Sequence, residues 1–252
     1  PLFPTGVTVR RGDYDAPETL DAALAGAERL LLISSNAIGA RVAQHAHVID
    51  AGRKAGVARI AYTSVLHAET STLGLAGEHR RTETLLMESG IAHSLLRNGW
   101  YSENYAASIA PALAHGAFIG AAGDGRISGA TRADYAEAAA VALIADAEPG
   151  RTIHELAGDT AFTLGAFAAE LSRQTGREIP YVDMPEEAYR AALISAGLPE
   201  GVAALLADSD SGARAGQLFD DGRALSRLIG RPTTPVSETI AATLATLPGT
   251  TA

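Results

Sequence analysis

The sequence predicts an α/β protein in which helices cover both faces of a doubly wound parallel sheet. Short apolar runs, typical of strands buried on both faces, alternate with amphipathic helical patterns, and the links between them are short. Right-handed crossovers between parallel strands then place helices on both sides. Residues 159–252 contain mostly helical patterns. They predict a smaller, mostly helical lobe that packs on the sheet domain.

Local patterns predict each element in order. Residues 7–10 alternate apolar and polar side chains like the end of a strand, and Pro17 and Gly26 stand at the start and end of a helix. Further strands are predicted at 30–33, 57–63, 91–96, 152–156 and 179–182. Further helices are predicted at 42–55, 78–89, 132–146, 163–175, 185–197, 198–207, 225–229 and 236–247. Residues 209–219, rich in Gly and Ser, are predicted to form a loop.

Composition excludes several classes of function. The 252 residues carry 29 acidic and 20 basic side chains, a net charge of −9, so we expect no nucleic-acid groove. The absence of Cys excludes disulfides, thiolate nucleophiles and Cys-based metal centres. The apolar runs are too short to span a bilayer, so no membrane insertion is expected.

Polar residues at four predicted strand ends indicate where a ligand would bind. In an open α/β sheet, ligands bind outside the carboxyl ends of the strands. Polar residues also follow any buried strand simply because the chain turns there. Four such ends on one edge of a sheet favour the binding interpretation. They are residues 12–14, 34–36, 63–64 and 98–104.

A Gly-rich dinucleotide fingerprint between a first strand and a first helix is not present in the sequence. The nearest pattern, at residues 120–125, does not open an apolar helix, and Asp124 followed by Gly125 is typical of a hairpin turn. His45 and His47 do not predict a metal site, because side chains two positions apart on a helix do not face one another.

Several stretches together resemble the NmrA-like group of atypical short-chain dehydrogenases. Residues 31–35 read LLISS, residues 60–64 read IAYTS, and residues 95–104 read LLRNGWYSEN. The last stretch is similar to the bacterial NAD(P)H:quinone oxidoreductases of that group. Further matches lie at residues 120–125, 131–135, 155–158, 206–210 and 228–233, so the resemblance covers nearly the whole chain.

The resemblance implies a Rossmann-like fold in which the first strand–helix–strand unit is missing from this sequence. That unit takes roughly 35–40 residues and carries the Gly-rich turn and a basic residue for the 2′-phosphate. We therefore expect the native gene product to be longer. The dinucleotide-binding domain would comprise residues 1–115 and 131–158. The substrate-binding lobe would comprise residues 116–130 and 159–252.

The chemistry implied by the resemblance is hydride transfer from NADPH, or NADH, to a small-molecule quinone in the cytoplasm. The Tyr-x-x-x-Lys pair of ordinary short-chain dehydrogenases is absent, since Lys54 is the only lysine and position 50 is Asp. His79 and Glu83 occupy the corresponding helix, where they form a surface pair or act on the substrate side. Quinone reduction tolerates this absence because water can protonate the weakly basic oxyanion.

The resemblance also carries over site residues by motif. Asn98 and Tyr101 would act in catalysis, Asn98 as an amide donor to the quinone oxygen and Tyr101 by lining the quinone pocket or donating a hydrogen bond. Their alternatives are a turn residue and a half-buried structural Tyr, and packing is the favoured interpretation of Trp100. The expected cofactor-binding set is Asp13, Tyr14, Ser34, Ser35, Asn36, Thr63, Asn98, Gly99, Trp100, Tyr101, Ser102 and Glu103.

Two other interpretations belong to different functional classes. NmrA-like proteins include non-catalytic dinucleotide or redox sensors that regulate a protein partner and also lack the Tyr–Lys pair. An inactive truncated product is the third possibility. The run at residues 98–104 and the long C-terminal lobe favour the reductase.

Overall fold

Strands and helices alternate along the first part of the chain, and helices dominate the second. The computed structural model describes residues 5–145 and 150–247. In chain order the elements are α1 (Glu18–Leu24), β1 (Arg29–Leu32), α2 (Arg41–Lys54), β2 (Arg59–Val65), α3 (Ala76–Glu88), β3 (Ala92–Asn98), α4 (Ser102–Ala106), α5 (Ile109–His115), β4 (Phe118–Gly120), α6 (Arg132–Ile144), β5 (Arg151–Leu156), α7 (Leu164–Thr175), β6 (Tyr181–Asp183), α8 (Glu186–Ser195), α9 (Glu200–Arg214), α10 (Ala224–Ile229) and α11 (Val236–Thr246).

The main sheet is parallel throughout, in the order β1-β2-β3-β5. Every residue of β2 is buried. Ile60 and Tyr62 pack on one face with α2 and α3, while Ala61 packs on the other with Tyr135 and Ala138 of α6. Helices therefore cover both faces, and the prediction of a doubly wound parallel sheet is confirmed.

The C-terminal lobe has its own small sheet and aromatic core. Strands β4 and β6 pair in parallel, with Phe118 opposite Tyr181. The rings of Phe118, Phe162 and Phe167 pack together, with Tyr105 at their edge. Because Tyr105 lies on α4, just after β3, this core joins the lobe directly to the main sheet.

The predicted strand end at residues 7–10 does not form a strand. Val7 and Val9 are exposed, and no described strand lies beside this segment to accept its backbone hydrogen bonds. The alternating pattern therefore marks an extended segment only. The predicted helix at residues 132–146 ends at Ile144, and residue 146 lies outside the described residues.

The loop predicted at residues 209–219 is wrong in its first half, because α9 continues to Arg214. Its small residues form the buried face of the helix. Gly212 lies so close to Leu73 that a β-carbon would collide with that side chain. Asp210 is buried and accepts a hydrogen bond of 2.8 Å from the backbone N–H of Ala121. Gly and Ser disfavour a helix in isolation, but here their small size allows the helix to pack closely against its neighbours.

A buried ion-pair cluster ties the centre of the sheet to α3. Arg97 on β3 donates to both carboxylate oxygens of Glu83 at 3.0 and 2.7 Å, and to Glu155 on β5 at 2.9 Å. The hydroxyl of Ser64 on β2 donates to Glu83 at 2.6 Å. Burial alone would lower the pKa of Arg97, but its hydrogen bonds to Glu83, Glu155 and Glu69 raise it. The guanidinium is therefore charged and fully engaged.

Replacing Arg97 with Met should destabilise the protein by roughly 3–5 kcal/mol, because the Glu83 carboxylate is left buried without its cation. The free energy of unfolding in urea measures the loss. Arg173→Met is a matched control, because Arg173 also pairs with a Glu but is 69% exposed, whereas Arg97 is 5% exposed. The control should change stability little. Equal losses in the two variants would contradict the assigned role of the cluster.

Candidate functional site

A cavity of about 480 Å³ lies at the carboxyl edge of the main sheet. Six residues of the predicted site line it, and they come from the ends of three neighbouring strands. Parallel pairing brings them together, because all strands of such a sheet end at the same edge. The lining consists of Leu31, Ile33, Ser34, Ser35, Asn36, Arg41, Thr63, Asn98, Tyr101, Arg132, Tyr135, Ala136 and Ala139.

The segment after β1 is held to its neighbours by hydrogen bonds at successive residues. The backbone N–H of Ser34 donates to the hydroxyl of Thr63 at 2.8 Å, which ties the end of β1 to β2. The N–H of Ser35 donates to Nε2 of His45 at 3.0 Å. Nε of Arg41 donates to the carbonyl of Ser35 at 2.6 Å. The backbone facing the cavity therefore has a defined orientation.

Beneath this segment lies a buried network on α2, β2 and α3. Nδ1 of His45 lies 2.9 Å from the hydroxyl of Thr82, and Nδ1 of His79 lies 2.7 Å from the hydroxyl of Tyr62. Burial and the charge of Arg41 lower the pKa of His45 to about 4 and that of His79 to about 3. Both imidazoles are therefore neutral near pH 7.

The expected surface pair of His79 and Glu83 is wrong. Both side chains are buried, and their partners lie on the sheet: Tyr62 of β2 for His79, and Ser64 of β2 and Arg97 of β3 for Glu83. An i, i+4 spacing places two side chains on one helix face, and here that face points toward the sheet rather than toward solvent. Neither residue lines the cavity.

Two polar atoms of the cavity lining are buried without a hydrogen-bond partner among the described residues. They are Oδ1 of Asn98 and the hydroxyl of Tyr135. Burial raises the pKa of Tyr135 well above its ordinary value, so its hydroxyl keeps its proton. Both atoms are buried beneath the cavity surface, so they mark unsatisfied hydrogen-bonding capacity in the lining residues and not an open contact point for a ligand.

Tyr101 and Arg132 form one wall of the cavity. The guanidinium of Arg132 lies 4.8 Å from the centroid of the Tyr101 ring and donates to Oδ1 of Asn104 at 2.9 Å. Glu103 accepts a hydrogen bond of 2.9 Å from the backbone N–H of Arg132, at the first turn of α6. This arrangement orders residues 101–104 against the helix and keeps a cation beside the aromatic ring.

The other predicted cofactor residues lie outside this lining. Gly99 lies against the hydroxyl of Tyr135, Trp100 packs on the lobe core, and Ser102 is fully buried. Asp13 accepts from the backbone N–H of Asp15, and the hydroxyl of Tyr14 lies 3.5 Å from the carbonyl of Ile33. A cofactor contact for these residues and for Glu103 stays a prediction.

Arg41, Arg132 and Tyr135 are cavity residues that the sequence did not single out for this role. Arg41 had a detectable signal, since it lies four positions before His45 on the same helix face. Arg132 and Tyr135 lie on α6, which is distant in sequence from the strand ends. Only the crossover of α6 over the sheet brings them to the cavity.

The glycines of residues 120–125 belong to the C-terminal lobe. A β-carbon on Gly120 would collide with Leu164, and one on Gly125 would collide with the backbone of Ala213. They therefore allow close packing in the lobe. Within residues 5–145 and 150–247, no group of three or more His, Asp or Glu side chains is arranged to hold a metal ion. In the same ranges, no helix has both the length and the apolar character of a membrane span.

The two neutral histidines predict a loss of stability in acid. For His79 the pKa falls from 6.5 in the unfolded chain to about 3 in the fold. Its stabilising contribution is complete above pH 6.5 and is lost as the pH falls toward 3. Between about pH 6.5 and 4.5, the free energy of unfolding should fall by about 2 kcal/mol less in His79→Gln than in the wild type. Urea unfolding at several pH values measures it.

The comparison must be made between wild type and variant, because Asp210 acts in the opposite direction. Burial raises its pKa from 3.8 to about 6, so the fold takes up a proton there and gains stability as the pH falls through that range. Both proteins share this contribution. Identical pH profiles for wild type and His79→Gln would show that His79 does not carry the predicted proton linkage.

Comparison with known proteins places the chain in a family. A family model described as NAD(P)H-binding matches residues 2–146. Quinone oxidoreductase 2 of Escherichia coli (strain K12) is 56% identical over 239 residues, which cover 95% of this chain and 83% of that protein.

Solved structures agree in fold over nearly the whole chain. The NADPH-dependent quinone oxidoreductase of Escherichia coli in complex with NADPH superposes with a TM-score of 0.90 at 56% identity, covering 94% of this chain and 83% of that one. The triphenylmethane reductase of Citrobacter sp. complexed with NADP(H) gives 0.88 at 33% identity, covering 94% and 84%. The chain belongs to the NAD(P)H-binding family, and the resemblance seen in the sequence is confirmed.

Proposed function

We infer that this protein is an NAD(P)H-dependent quinone reductase that transfers a hydride from the nicotinamide to a quinone and releases the hydroquinone. The observation that carries the inference is the cavity at the carboxyl edge of the sheet. Its lining includes the polar side chains of Asn98, Tyr101 and Tyr135 and two arginines. The 56% identity to quinone oxidoreductase 2 supports the same activity.

The chemistry of the lining fits a dinucleotide. Arg41 and Arg132 contribute two cations, and no carboxylate is among the lining residues. Each guanidinium also has a carboxylate nearby, Glu78 at 3.5 Å from Arg41 and Glu103 at 3.8 Å from Arg132. Two guanidinium groups in one lining nevertheless suit a ligand that carries phosphates. Ser34, Ser35, Asn36 and Thr63 would lie along the cofactor, with Asn98 and Tyr101 at its nicotinamide end. NADPH is the expected cofactor, because the related structure at 56% identity holds NADPH.

The two lobes would have different roles, one in binding the cofactor and the other in binding the substrate. Residues 1–115 and 131–158 would hold the dinucleotide, since they supply all strands of the main sheet and all lining residues of the cavity. Residues 116–130 and 159–252 would close the substrate side. Support for this division comes from the separate two-stranded sheet of β4 and β6 and from the aromatic core around Phe167.

The chain's own residues have electrostatic and positioning tasks. When bound, NADPH supplies the hydride, and the quinone takes it up together with one proton to give the hydroquinone. The amide N–H of Asn98 would stabilise negative charge on the quinone oxygen. Tyr101 offers an aromatic face for the quinone ring. Because the hydroquinone oxyanion is a weak base, the hydride can be transferred without a concerted proton donor, and solvent supplies the one proton afterwards.

Two substitutions separate a catalytic Asn98 from a turn residue. Asn98→Ala removes the amide and should lower kcat roughly tenfold or more. Asn98→Asp keeps the shape and the turn preference but replaces the donor with a carboxylate, so it should lower kcat at least as far. The kcat of each variant is measured from the rate at which the NADPH absorbance falls after quinone is added. Wild-type turnover in Asn98→Asp would leave Asn98 as a turn residue only.

Tyr101 is expected to act through its ring rather than its hydroxyl. Tyr101→Phe should retain most activity, because the ring remains beside Arg132. Tyr101→Ala should raise the KM for quinone by roughly tenfold through loss of aromatic contact, with a smaller effect on the KM for NADPH. Steady-state kinetics with each substrate varied in turn distinguish these cases. A larger loss in Tyr101→Phe than in Tyr101→Ala would overturn the assignment.

One assay tests the proposed function as a whole. Protein is mixed with NADPH and a simple quinone, and NADPH consumption is followed with and without the quinone. Quinone-dependent consumption supports the reductase. Tight NADPH binding without turnover would instead favour a dinucleotide sensor that acts on a protein partner.

A further inference from the structure

Helix α2 holds the backbone of a cavity residue at both its N–H and its C=O group. The N–H of Ser35 donates to Nε2 of His45 at 3.0 Å, and the carbonyl of Ser35 accepts from Nε of Arg41 at 2.6 Å. Arg41 and His45 are four positions apart and therefore lie one above the other on the same face of α2. Two opposed bonds to one residue fix its orientation, and not only its distance from the helix.

Helix α3 in turn fixes both of these side chains. Nη1 of Arg41 lies 3.5 Å from the carboxylate of Glu78 and 3.3 Å from Nε2 of His79. Nδ1 of His45 donates to the hydroxyl of Thr82, which itself donates to the carbonyl of Glu78. Since Arg41 and His45 are buried, few alternative rotamers are open to either.

His45 is in the one protonation state that can make this contact. A backbone N–H can only donate, so Nε2 of His45 must be the unprotonated nitrogen. The titratable groups around the ring are Arg41 on α2, His79 on α3, Tyr62 on β2 and Tyr14 in the loop before α1, and Glu78 on α3 pairs with Arg41. Burial and the Arg41 charge keep the ring neutral near pH 7. The proton of the neutral ring is on Nδ1, which donates it to the hydroxyl of Thr82.

We propose that Arg41 and His45 are positioning residues for the dinucleotide, which orient the backbone of Ser34, Ser35 and Asn36 toward the cofactor through their bonds to Ser35. The proposal rests on the function inferred above. His45 is the sharper probe of the two, because Arg41 itself lines the cavity and His45 does not. Any effect of His45 on cofactor affinity must therefore pass through the Ser35 peptide or its neighbours.

Three substitutions at His45 test the proposal by NADPH fluorescence titration. His45→Leu removes the acceptor at similar volume and should raise the Kd for NADPH roughly three- to tenfold. His45→Asn keeps a polar side chain that is too short to reach Ser35, and it should bind like the Leu variant. His45→Gln keeps an acceptor at comparable reach and should restore nearly wild-type affinity. The Asn and Gln pair decides the matter if His45→Leu fails to fold.

A kinetic measurement and a control separate positioning from general destabilisation. The KM for NADPH should rise in step with Kd while kcat at saturating NADPH changes little, since the residues around the quinone are untouched. His154→Leu is the control, because burial lowers the pKa of His154 as it does that of His45, while His154 is only half-buried and lies outside the cavity lining. It should leave the Kd unchanged, whatever it does to the melting temperature.

The outcomes that overturn the proposal are distinct from those that overturn the function. Wild-type Kd in both His45→Leu and His45→Asn, or equal losses in the Asn and Gln variants, would remove the positioning role and leave the reductase standing. Wild-type protein that binds no NADPH would instead remove the proposed function. Binding is read without turnover, so failure of the quinone assay does not affect the result.

Discussion

The complete burial of β2 is the constraint on which the rest of the structure depends. Its backbone pairs in parallel with β3 along its whole length and with β1 over Arg59 to Tyr62, so the sheet satisfies most of its polar backbone groups. Its side chains alternate between the layer of α2 and α3 and the layer of α6. Because neighbouring strands must run the same way, their polar ends meet at one edge, where the cavity lies.

The side chains on the inward face of α3 support the structure and do not take part in the reaction. Helix α3 carries His79 and Glu83 four positions apart on this face, and both are committed to buried contacts with Tyr62, Ser64 and Arg97. These side chains support the sheet and the segment after β1. Proton donation by a side chain is therefore not built into this helix, which agrees with a reaction whose product oxyanion needs no strong acid.

Charged side chains are also distributed differently in the cavity lining and in the chain as a whole. The chain is acidic overall, yet the cavity lining contains two arginines and no carboxylate. The guanidinium of Arg41 contacts Glu78 and His79 of α3. The guanidinium of Arg132, on α6, lies over the ring of Tyr101. A ligand with phosphates at one end and a flat ring at the other is complementary to this arrangement. The net charge of a chain says little about the field in one cavity.

The sequence by itself determined the parallel sheet, most helices and six cavity residues, because these depend on local periodicity and on strand ends that a parallel sheet must gather. Only the tertiary structure decided the course of α9 through residues 209–214, the inward turn of His79 and Glu83, and the places of Arg132 and Tyr135. Each of these depends on which surface packs against a given helix face. Such contacts join residues far apart in the chain, so no local pattern contains them.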